Sequence, residues 1–226
     1  MATIHFSGVT HRFGDRVVLD GIDLTLTEQR IGLVGANGSG KSTLARMING
    51  LVSPTSGVVT VDDLDTTAKG REVRRRVGFV FTDPDNQIVM PTVAEDVAFS
   101  LRKSGLRKPE IADQVAASLR KFGLAGHADH PTHLLSGGQK QLLALAAVLI
   151  TGPDIVVADE PTTLLDLRNA RMVNDLLMGL PEQVVLVTHH LHLLDGFDRV
   201  VVLDAGRVVA DSAPAAAIAA YTGLLA

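Results

Sequence analysis

The chain has 226 residues, enough for one large α/β domain, and its 25 acidic and 21 basic residues give a formal net charge of −4. This near balance argues against a nucleic-acid partner, and the lack of cysteine excludes disulfides and thiolate chemistry. The longest strongly apolar stretch, residues 142–150, is much shorter than a bilayer span, and the N-terminus does not resemble a signal peptide. We therefore expect a soluble cytoplasmic protein that serves a membrane only by docking to a partner.

The predicted elements alternate between strands and helices, which indicates a parallel sheet with right-handed crossovers. Apolar runs and alternating patterns predict strands over residues 22–26, 31–34, 58–61, 77–81, 155–158, 184–187, 200–203 and 207–209. Helical periodicity predicts helices that begin near residues 41 and 140, and others over residues 93–101, 110–122, 167–178 and 215–220. Helical patterns dominate between Asp83 and Pro131, so this block is predicted to be an inserted lobe.

A glycine-rich segment joins the strand at 31–34 to the first predicted helix. Its residues are Gly35, Ala36, Asn37, Gly38, Ser39, Gly40, Lys41, Ser42 and Thr43, which fit the phosphate-loop pattern. Glycines allow successive backbone N–H groups to converge on a phosphate, and the following helix directs its positive end at the anion. Lys41 would contact the outer phosphates, and Ser42 would offer its hydroxyl to Mg²⁺. A chance match in a turn is the alternative, which the strand–loop–helix context disfavours.

Two carboxylates follow the apolar run at 155–158. Because ligands bind at the carboxyl ends of the strands in open α/β sheets, Asp159 and Glu160 are expected at the rim of the nucleotide site. Asp159 would hold Mg²⁺, directly or through water. Glu160 would orient or deprotonate the water that attacks the γ-phosphate. Ordinary acidic residues that end a strand are the alternative interpretation.

A second anion-facing helix start is predicted at Leu135-Ser136-Gly137-Gly138-Gln139, where Ser136 can cap a helix and two glycines allow close approach of the backbone. A capped helix without a ligand is the alternative. With this run, the chain resembles the ATP-binding cassette (ABC) family, whose signature motif is Leu-Ser-Gly-Gly-Gln. The resemblance extends over nearly the whole chain, and the motifs keep the order and spacing of the family. An ordinary P-loop kinase or GTPase would lack this segment.

The resemblance implies an α/β fold with a P-loop NTPase, RecA-like core, an antiparallel β lobe and an inserted α-helical lobe. It implies one ABC-type domain over residues 1–226, with core and β lobe in 1–81 and 136–226 and the helical lobe in about 82–135. It further implies a homodimer or heterodimer of ATPase subunits that face each other head to tail. Each ATP is then enclosed by the phosphate loop of one subunit and by Ser136, Gly137, Gly138 and Gln139 of the other.

The same resemblance assigns further roles. Phe13 matches the aromatic residue that stacks on adenine, although core packing is an equal alternative from composition alone. Asp166 matches the loop that communicates across the dimer, and His189 matches the histidine that contacts the γ-phosphate. A metal cluster of His189, His190 and His192 is an alternative without a convincing fourth ligand.

One position departs from the family. Its members usually carry glutamine directly after the strand that is predicted here at 77–81, whereas this chain has Thr82. The threonine side chain has a hydroxyl but a shorter reach. We therefore expect Mg²⁺ to be held mainly by Ser42, Asp159, phosphate oxygens and water, and we do not transfer the metal role to Gln87.

The segment from Asp83 to Phe99 resembles the ATPases of energy-coupling-factor importers, which take up vitamins and transition-metal ions. The resemblance implies a peripheral subunit on the cytoplasmic face of the membrane, bound to a transmembrane coupling protein and a substrate-binding membrane protein. With Thr82 and the segment Val89-Met90-Pro91, the chain most resembles the ATPases of biotin importers, and this resemblance implies biotin as the cargo. Cobalt or nickel, another vitamin, or a soluble ABC ATPase such as an iron–sulfur assembly scaffold are the alternatives.

Overall fold

The computed structural model describes residues 1–224. In chain order its strands are β1 (Ile4–Phe13), β2 (Arg16–Leu26), β3 (Arg30–Gly35), β4 (Ser56–Val61), β5 (Leu64–Asp65), β6 (Val77–Val80), β7 (Ile155–Asp159), β8 (Gln183–Val187), β9 (Arg199–Asp204) and β10 (Arg207–Ser212). Its α-helices are α1 (Lys41–Ile48), α2 (Gly70–Arg76), α3 (Val93–Ser100), α4 (Lys108–Lys121), α5 (Gly137–Leu149), α6 (Leu167–Met178) and α7 (Pro214–Leu224). Among these described residues no helix combines the length and the apolar character needed to cross a membrane.

A six-stranded sheet with the order β10-β9-β3-β8-β7-β6 positions the predicted nucleotide site. β3, β7 and β8 are buried at every residue, as expected for parallel strands that are covered on both faces. In the parallel register, Leu33 of β3 pairs with Val187 of β8, and Val187 pairs with Asp159 of β7. The carboxyl ends of these three strands therefore lie at the same edge of the sheet.

A second sheet with the order β2-β1-β4-β5 is antiparallel throughout. β1 lies in its interior and pairs through Ile4 with Leu26 of β2 and with Val61 of β4. Its buried residues Ile4 and Phe6 alternate with exposed ones, but the register shifts between Phe6 and Val9. Gly8 in this gap has a φ of 55°, a left-handed conformation that glycine adopts readily. The bulge interrupts the alternation by which a strand is recognised in sequence.

The chain divides into two compact units. The first comprises residues 1–79, 154–160 and 177–226 of the chain and contains nearly all of both sheets together with α1, α2 and α7. The second comprises residues 80–153 and 161–176 and consists mainly of α3 to α6. The predicted helical lobe, about 82–135, falls wholly within the second unit, which also includes α5 and most of α6. The lobe boundaries themselves stay a prediction.

Candidate nucleotide-binding site

The phosphate loop runs from the end of β3 to the start of α1, and two of its glycines are required by close packing. Gly35 has a φ of 151°, and a Cβ atom there would overlap the carbonyl oxygen of Leu203 in β9. Gly40 has a φ of 103°, and its Cβ would lie 2.7 Å from the Leu19 side chain and 2.8 Å from the Val18 carbonyl oxygen. The backbone of the loop is therefore fixed by its neighbours on both sides, β9 and β2.

Lys41 opens α1 and is folded back into the loop. Its Nζ atom donates to the carbonyl oxygens of Gly35 (2.7 Å) and Ala36 (2.9 Å), and the residue is only 6% exposed. Burial lowers the pKa of Lys41, and the nearby carboxylates of Glu160 and Asp159 oppose this shift. An ammonium group that has exchanged water for two carbonyls can exchange these for the phosphate oxygens of a nucleotide.

Asp159 at the end of β7 meets the start of α1. Ser42 donates its hydroxyl to Oδ1 of Asp159 (2.7 Å), and Arg46 donates to Oδ2 (3.2 Å). Asp159 is fully buried, and this burial raises the pKa of its carboxyl despite the opposing contacts with Ser42 and Arg46. Adjacent carboxylate and hydroxyl oxygens are the donors that Mg²⁺ prefers, and a cation would offset the cost of a buried carboxylate. These two residues therefore fit the predicted magnesium role.

Glu160 has a backbone conformation that is uncommon for a residue with a side chain. Its φ is 51°, which costs about 1–2 kcal/mol relative to the right-handed region, and its N–H donates to the Val187 carbonyl (2.9 Å). Its Oε2 lies 2.8 Å from Nδ1 of His189, which follows β8 and can donate to the carboxylate. The two predicted catalytic residues are therefore in direct contact.

The alternative interpretation of the three histidines as a metal cluster is not supported. His189 and His190 pack ring against ring, with centroids 4.0 Å apart. Within residues 1–224, no group of three or more histidine or acidic side chains has an arrangement that could hold a metal ion.

A cleft of ≈ 270 Å³ lies over the phosphate loop. Six loop residues line it, from Asn37 to Thr43 with the exception of Ser39, and Glu160 lines it as well. Phe13 forms part of the wall and is 60% exposed as a residue; its ring packs edge-on against His11, with centroids 4.7 Å apart. An exposed aromatic ring at the edge of a polar cleft can stack on a nucleobase. Core packing, the alternative for Phe13, does not apply at this exposure.

Sequence reasoning missed two residues of this cleft, Arg16 and Val18. Arg16 pairs with Phe13 across the turn between β1 and β2, and its guanidinium lies 3.6 Å from the position that a Cβ atom on Gly38 would occupy. A lone arginine in a strand has no motif around it. The pairing of β1 with β2 could have located it, but β1 was not predicted.

The signature segment belongs to the second unit, where it begins α5 with a capping box. The Ser136 N–H donates to Oε1 of Gln139 (2.8 Å), and the Gln139 N–H donates to Oγ of Ser136 (3.3 Å). Ser136 and Gly137 are exposed, whereas Gly138 is buried. Because the N-terminal N–H groups of a helix lack intrahelical partners, this exposed first turn can bind an anion.

Asp166 also belongs to the second unit and reaches the signature segment through Asn169. Asp166 accepts from the backbone N–H and from the Nδ2 atom of Asn169, both at 2.8 Å. The Asn169 side chain in turn lies 2.6–2.9 Å from the position that a Cβ on Gly138 would occupy. The glycine is therefore needed for this close approach.

The segment around Thr82 is held by amide side chains. Gln87 accepts from the Phe81 N–H (3.2 Å), and Gln141 of α5 donates to the Phe81 carbonyl (3.4 Å). Lys140, directly after the signature segment, forms an ion pair with Asp85 (2.7 Å). The loop that follows β6 is therefore tied to the first turns of α5.

Comparison with known proteins adds relatives that match most of this chain. The ABC transporter family model matches residues 19–163. BioM of Rhizobium etli, a biotin transport ATP-binding protein, is 47% identical over 96% of this chain and 97% of its own length. EcfA1 of Bacillus subtilis, an energy-coupling factor transporter ATP-binding protein, is 39% identical over 88% of this chain and 73% of its own length.

Two solved structures are similar over almost the full chain. CbiO1 of Clostridium perfringens, described as part of the ABC transporter complex CbiONQ, superimposes with a TM-score of 0.84 and 31% identity, covering 96% of this chain and 90% of that one. An ATP-binding cassette in a dimeric post-hydrolysis state with ADP and Pi superimposes with a TM-score of 0.82 and 29% identity, covering 93% and 98%. The predicted P-loop NTPase fold is confirmed.

Proposed function

This chain belongs to the ABC transporter family, and from that premise we propose that it is the ATP-hydrolysing subunit of an energy-coupling-factor importer whose cargo is biotin. One observation carries the proposal of ATP hydrolysis. The phosphate loop, Lys41 and Glu160 line the same cleft, and His189 contacts Glu160. Binding groups for a triphosphate and a candidate base for water therefore meet in one compact unit.

Within this cleft each residue has a defined task. The N–H groups of the loop and the start of α1 bind the phosphates, and Lys41 moves from the carbonyls of Gly35 and Ala36 to the outer phosphate oxygens. Phe13 stacks on the adenine ring. The binding energy thereby places the γ-phosphate beside Glu160.

Hydrolysis requires that a water molecule lose a proton as it attacks the γ-phosphate. Glu160 accepts this proton at its carboxylate, and Nδ1 of His189 holds the carboxylate in place. The other ring nitrogen of His189, Nε2, contacts the γ-phosphate. Ser42 and Asp159 would hold Mg²⁺, which neutralises negative charge on the phosphates when it is bound.

The signature segment explains why we propose a dimer. The exposed helix start at Ser136 and Gly137 presents backbone donors to an anion. In the proposed assembly, a homodimer or heterodimer, this segment of one subunit covers the γ-phosphate on the phosphate loop of its partner. The dimeric state of the structurally similar cassette with ADP and Pi supports this arrangement.

The relatives support the proposed cargo and membrane partners. BioM matches this chain nearly end to end and is named for biotin transport, and EcfA1 is named for the energy-coupling factor. We propose that a transmembrane coupling protein and a substrate-binding membrane protein complete the importer, and that this subunit lies peripherally on the cytoplasmic face. Cobalt uptake is the nearest alternative, because the matched CbiO1 belongs to CbiONQ.

The dimeric mechanism is tested by complementation. Ser136→Arg places a long side chain where the γ-phosphate of the partner should bind, so ATP-dependent dimerisation and turnover should be lost. Lys41→Ala should lose turnover because it weakens nucleotide binding. Mixed in equal amounts, these variants form heterodimers with one intact composite site, and turnover should return.

Ser53→Arg is a matched control, since Ser53 is exposed and lies outside every proposed site. It should dimerise and hydrolyse ATP as the unsubstituted protein does. If Ser136→Arg alone behaves like this control, the composite site is wrong for this protein.

The cargo is tested by uptake of radiolabelled biotin into cells that carry this subunit with its cognate membrane proteins. Uptake should depend on ATP and disappear with Lys41→Ala. Biotin uptake that is indifferent to Lys41→Ala, or absent while cobalt uptake depends on ATP, would overturn the biotin proposal.

A further inference from the structure

His127 contacts the signature segment, although no sequence motif includes it. It ends a short 3₁₀ helix, Ala125–His127, in the second unit. Its N–H donates to the carbonyl of Leu124 (2.9 Å), and Leu124 is 1% exposed. The position of His127 is therefore fixed by the core of that unit. Its Nε2 atom lies 3.1 Å from Nε2 of Gln139.

The hydrogen-bond roles at this contact can be worked out from the capping box. The backbone N–H of Ser136 can only donate, so the Gln139 atom 2.8 Å from it must be the carbonyl oxygen. The amide NH₂ of Gln139 consequently faces His127. Because an NH₂ group can only donate, Nε2 of His127 must accept, and the ring proton lies on Nδ1.

The opposite arrangement is less favourable. With the Gln139 amide turned over, an Nε2 proton on His127 could be satisfied, but the NH₂ would face the Ser136 N–H at 2.8 Å. This pairs donor with donor and leaves the first N–H of the capping box without an acceptor. The buried Nδ1 atom of His127 has no hydrogen-bond partner among residues 1–224 in either arrangement, so the difference between the two lies at the Ser136 N–H.

We infer that His127 is a positioning residue for the signature segment: its neutral Nε2 accepts from Gln139 and thereby fixes the capping box that presents Ser136. Without this acceptor the Gln139 amide gains rotamer freedom, and its hold on the Ser136 N–H weakens. Ser136 is exposed, and besides the capping box its carbonyl oxygen accepts from the Lys140 N–H (2.9 Å). The inference rests on the proposed function, because a fixed Ser136 matters only if it binds the partner's phosphate.

Two substitutions distinguish the loss of the hydrogen-bond acceptor at position 127 from the loss of the volume of the ring. His127→Gln can place a carbonyl oxygen near the position of Nε2, whereas His127→Leu fills similar space without an acceptor. Both are made in the full chain carrying Glu160→Gln, and ATP-dependent dimerisation is measured by analytical ultracentrifugation. His127→Leu should raise the dimer dissociation constant on the order of tenfold, the size expected for two neutral hydrogen bonds per dimer. His127→Gln should keep the dimer dissociation constant close to that of the protein with His127.

Two further readouts exclude a purely structural effect. ATP binding to the monomer should be the same in both variants, because the phosphate loop is untouched. The ¹⁵N spectrum of histidine-labelled protein should show His127 with its proton on Nδ1. An Nε2-protonated ring, or equal loss of dimerisation in the Gln and Leu variants, would overturn the inference even if His127→Leu folds poorly.

The proposed function has its own separate test. If Ser136→Arg dimerises normally with ATP, the composite site itself fails. If Ser136→Arg blocks dimerisation and His127→Leu leaves it unchanged, only the positioning role of His127 fails.

Discussion

The phosphate loop and the signature segment both begin a helix with glycines and a serine, but they are held in different ways. Around the phosphate loop, Gly35 and Gly40 pack against backbone atoms of β9 and β2, and Lys41 is buried. The signature segment is exposed at Ser136 and is held by the side chains of its own helix and of His127. The phosphate loop is therefore fixed by close packing against backbone atoms of its own unit. The signature segment is held by side-chain hydrogen bonds and leaves Ser136 exposed, as suits a surface that we propose to close on a partner.

Glu160→Gln should have the largest effect on turnover and should separate chemistry from closure. The amide keeps the shape of the side chain but cannot accept the proton, so the hydrolysis rate should fall by about 10²–10⁴-fold. ATP binding should persist, and the closed dimer should accumulate. Steady-state phosphate release and ATP-dependent sedimentation measure the two outcomes. Hydrolysis near the unsubstituted rate would contradict the role of Glu160.

Lys41→Ala tests the role of the phosphate loop in binding ATP. It removes a buried ammonium group that we propose to donate to phosphate, so ATP affinity should fall by roughly 10–100-fold, as expected for charge-assisted hydrogen bonds. Equilibrium binding of a fluorescent ATP analogue measures this. Lys69→Ala is the matched control, because Lys69 is exposed and lies outside the cleft. Equal ATP affinities of the two variants would show that Lys41 does not contribute to ATP binding.

A pair of glycine substitutions compares directly how tightly the phosphate loop and the signature segment are packed. Gly35→Ala places a methyl group on the Leu203 carbonyl, so the free energy of unfolding should fall by about 1–3 kcal/mol. A Cβ on Gly137 would meet nothing closer than 3.9 Å, so Gly137→Ala should unfold at the same denaturant concentration or slightly above. Its effect should be confined to ATP-dependent dimerisation. If Gly137→Ala unfolds as early as Gly35→Ala, the two segments are not held in different ways.

Thr82→Ala should have the smallest effect. We expect Mg²⁺ to be held mainly by Ser42 and Asp159, so loss of the Thr82 hydroxyl should lower the hydrolysis rate only about two- to fivefold, the size of one weak hydrogen bond. The Mg²⁺ dependence of turnover is the measurement, with Ser42→Ala as a comparison that should raise the Mg²⁺ requirement much more. Complete loss of Mg²⁺-dependent hydrolysis in Thr82→Ala would make its hydroxyl an essential ligand.

The sequence predicted much of the fold because most elements carry a local pattern. The buried runs at 155–158 and 184–187 correspond to β7 and β8, and the strands predicted at 200–203 and 207–209 correspond to β9 and β10. The family and fold predictions are confirmed. β1 was missed, since the bulge at Gly8 interrupts its alternation. The roles of the individual site residues stay predictions, although the contacts of Lys41, Asp159 and Glu160 support them.

The sequence by itself determined the parts of the site that depend on neighbours along the chain. A phosphate loop, its helix and a capped signature segment each act through backbone groups that a few adjacent residues arrange, so spacing is sufficient to recognise them. Only the tertiary structure decided which distant side chains complete them. Arg16 reaches the loop through strand pairing, Asn169 fills the space above Gly138, and His127 accepts from Gln139. Such contacts depend on packing between different secondary-structure elements, at least 12 residues apart for His127 and Gln139, which leaves no short-range pattern.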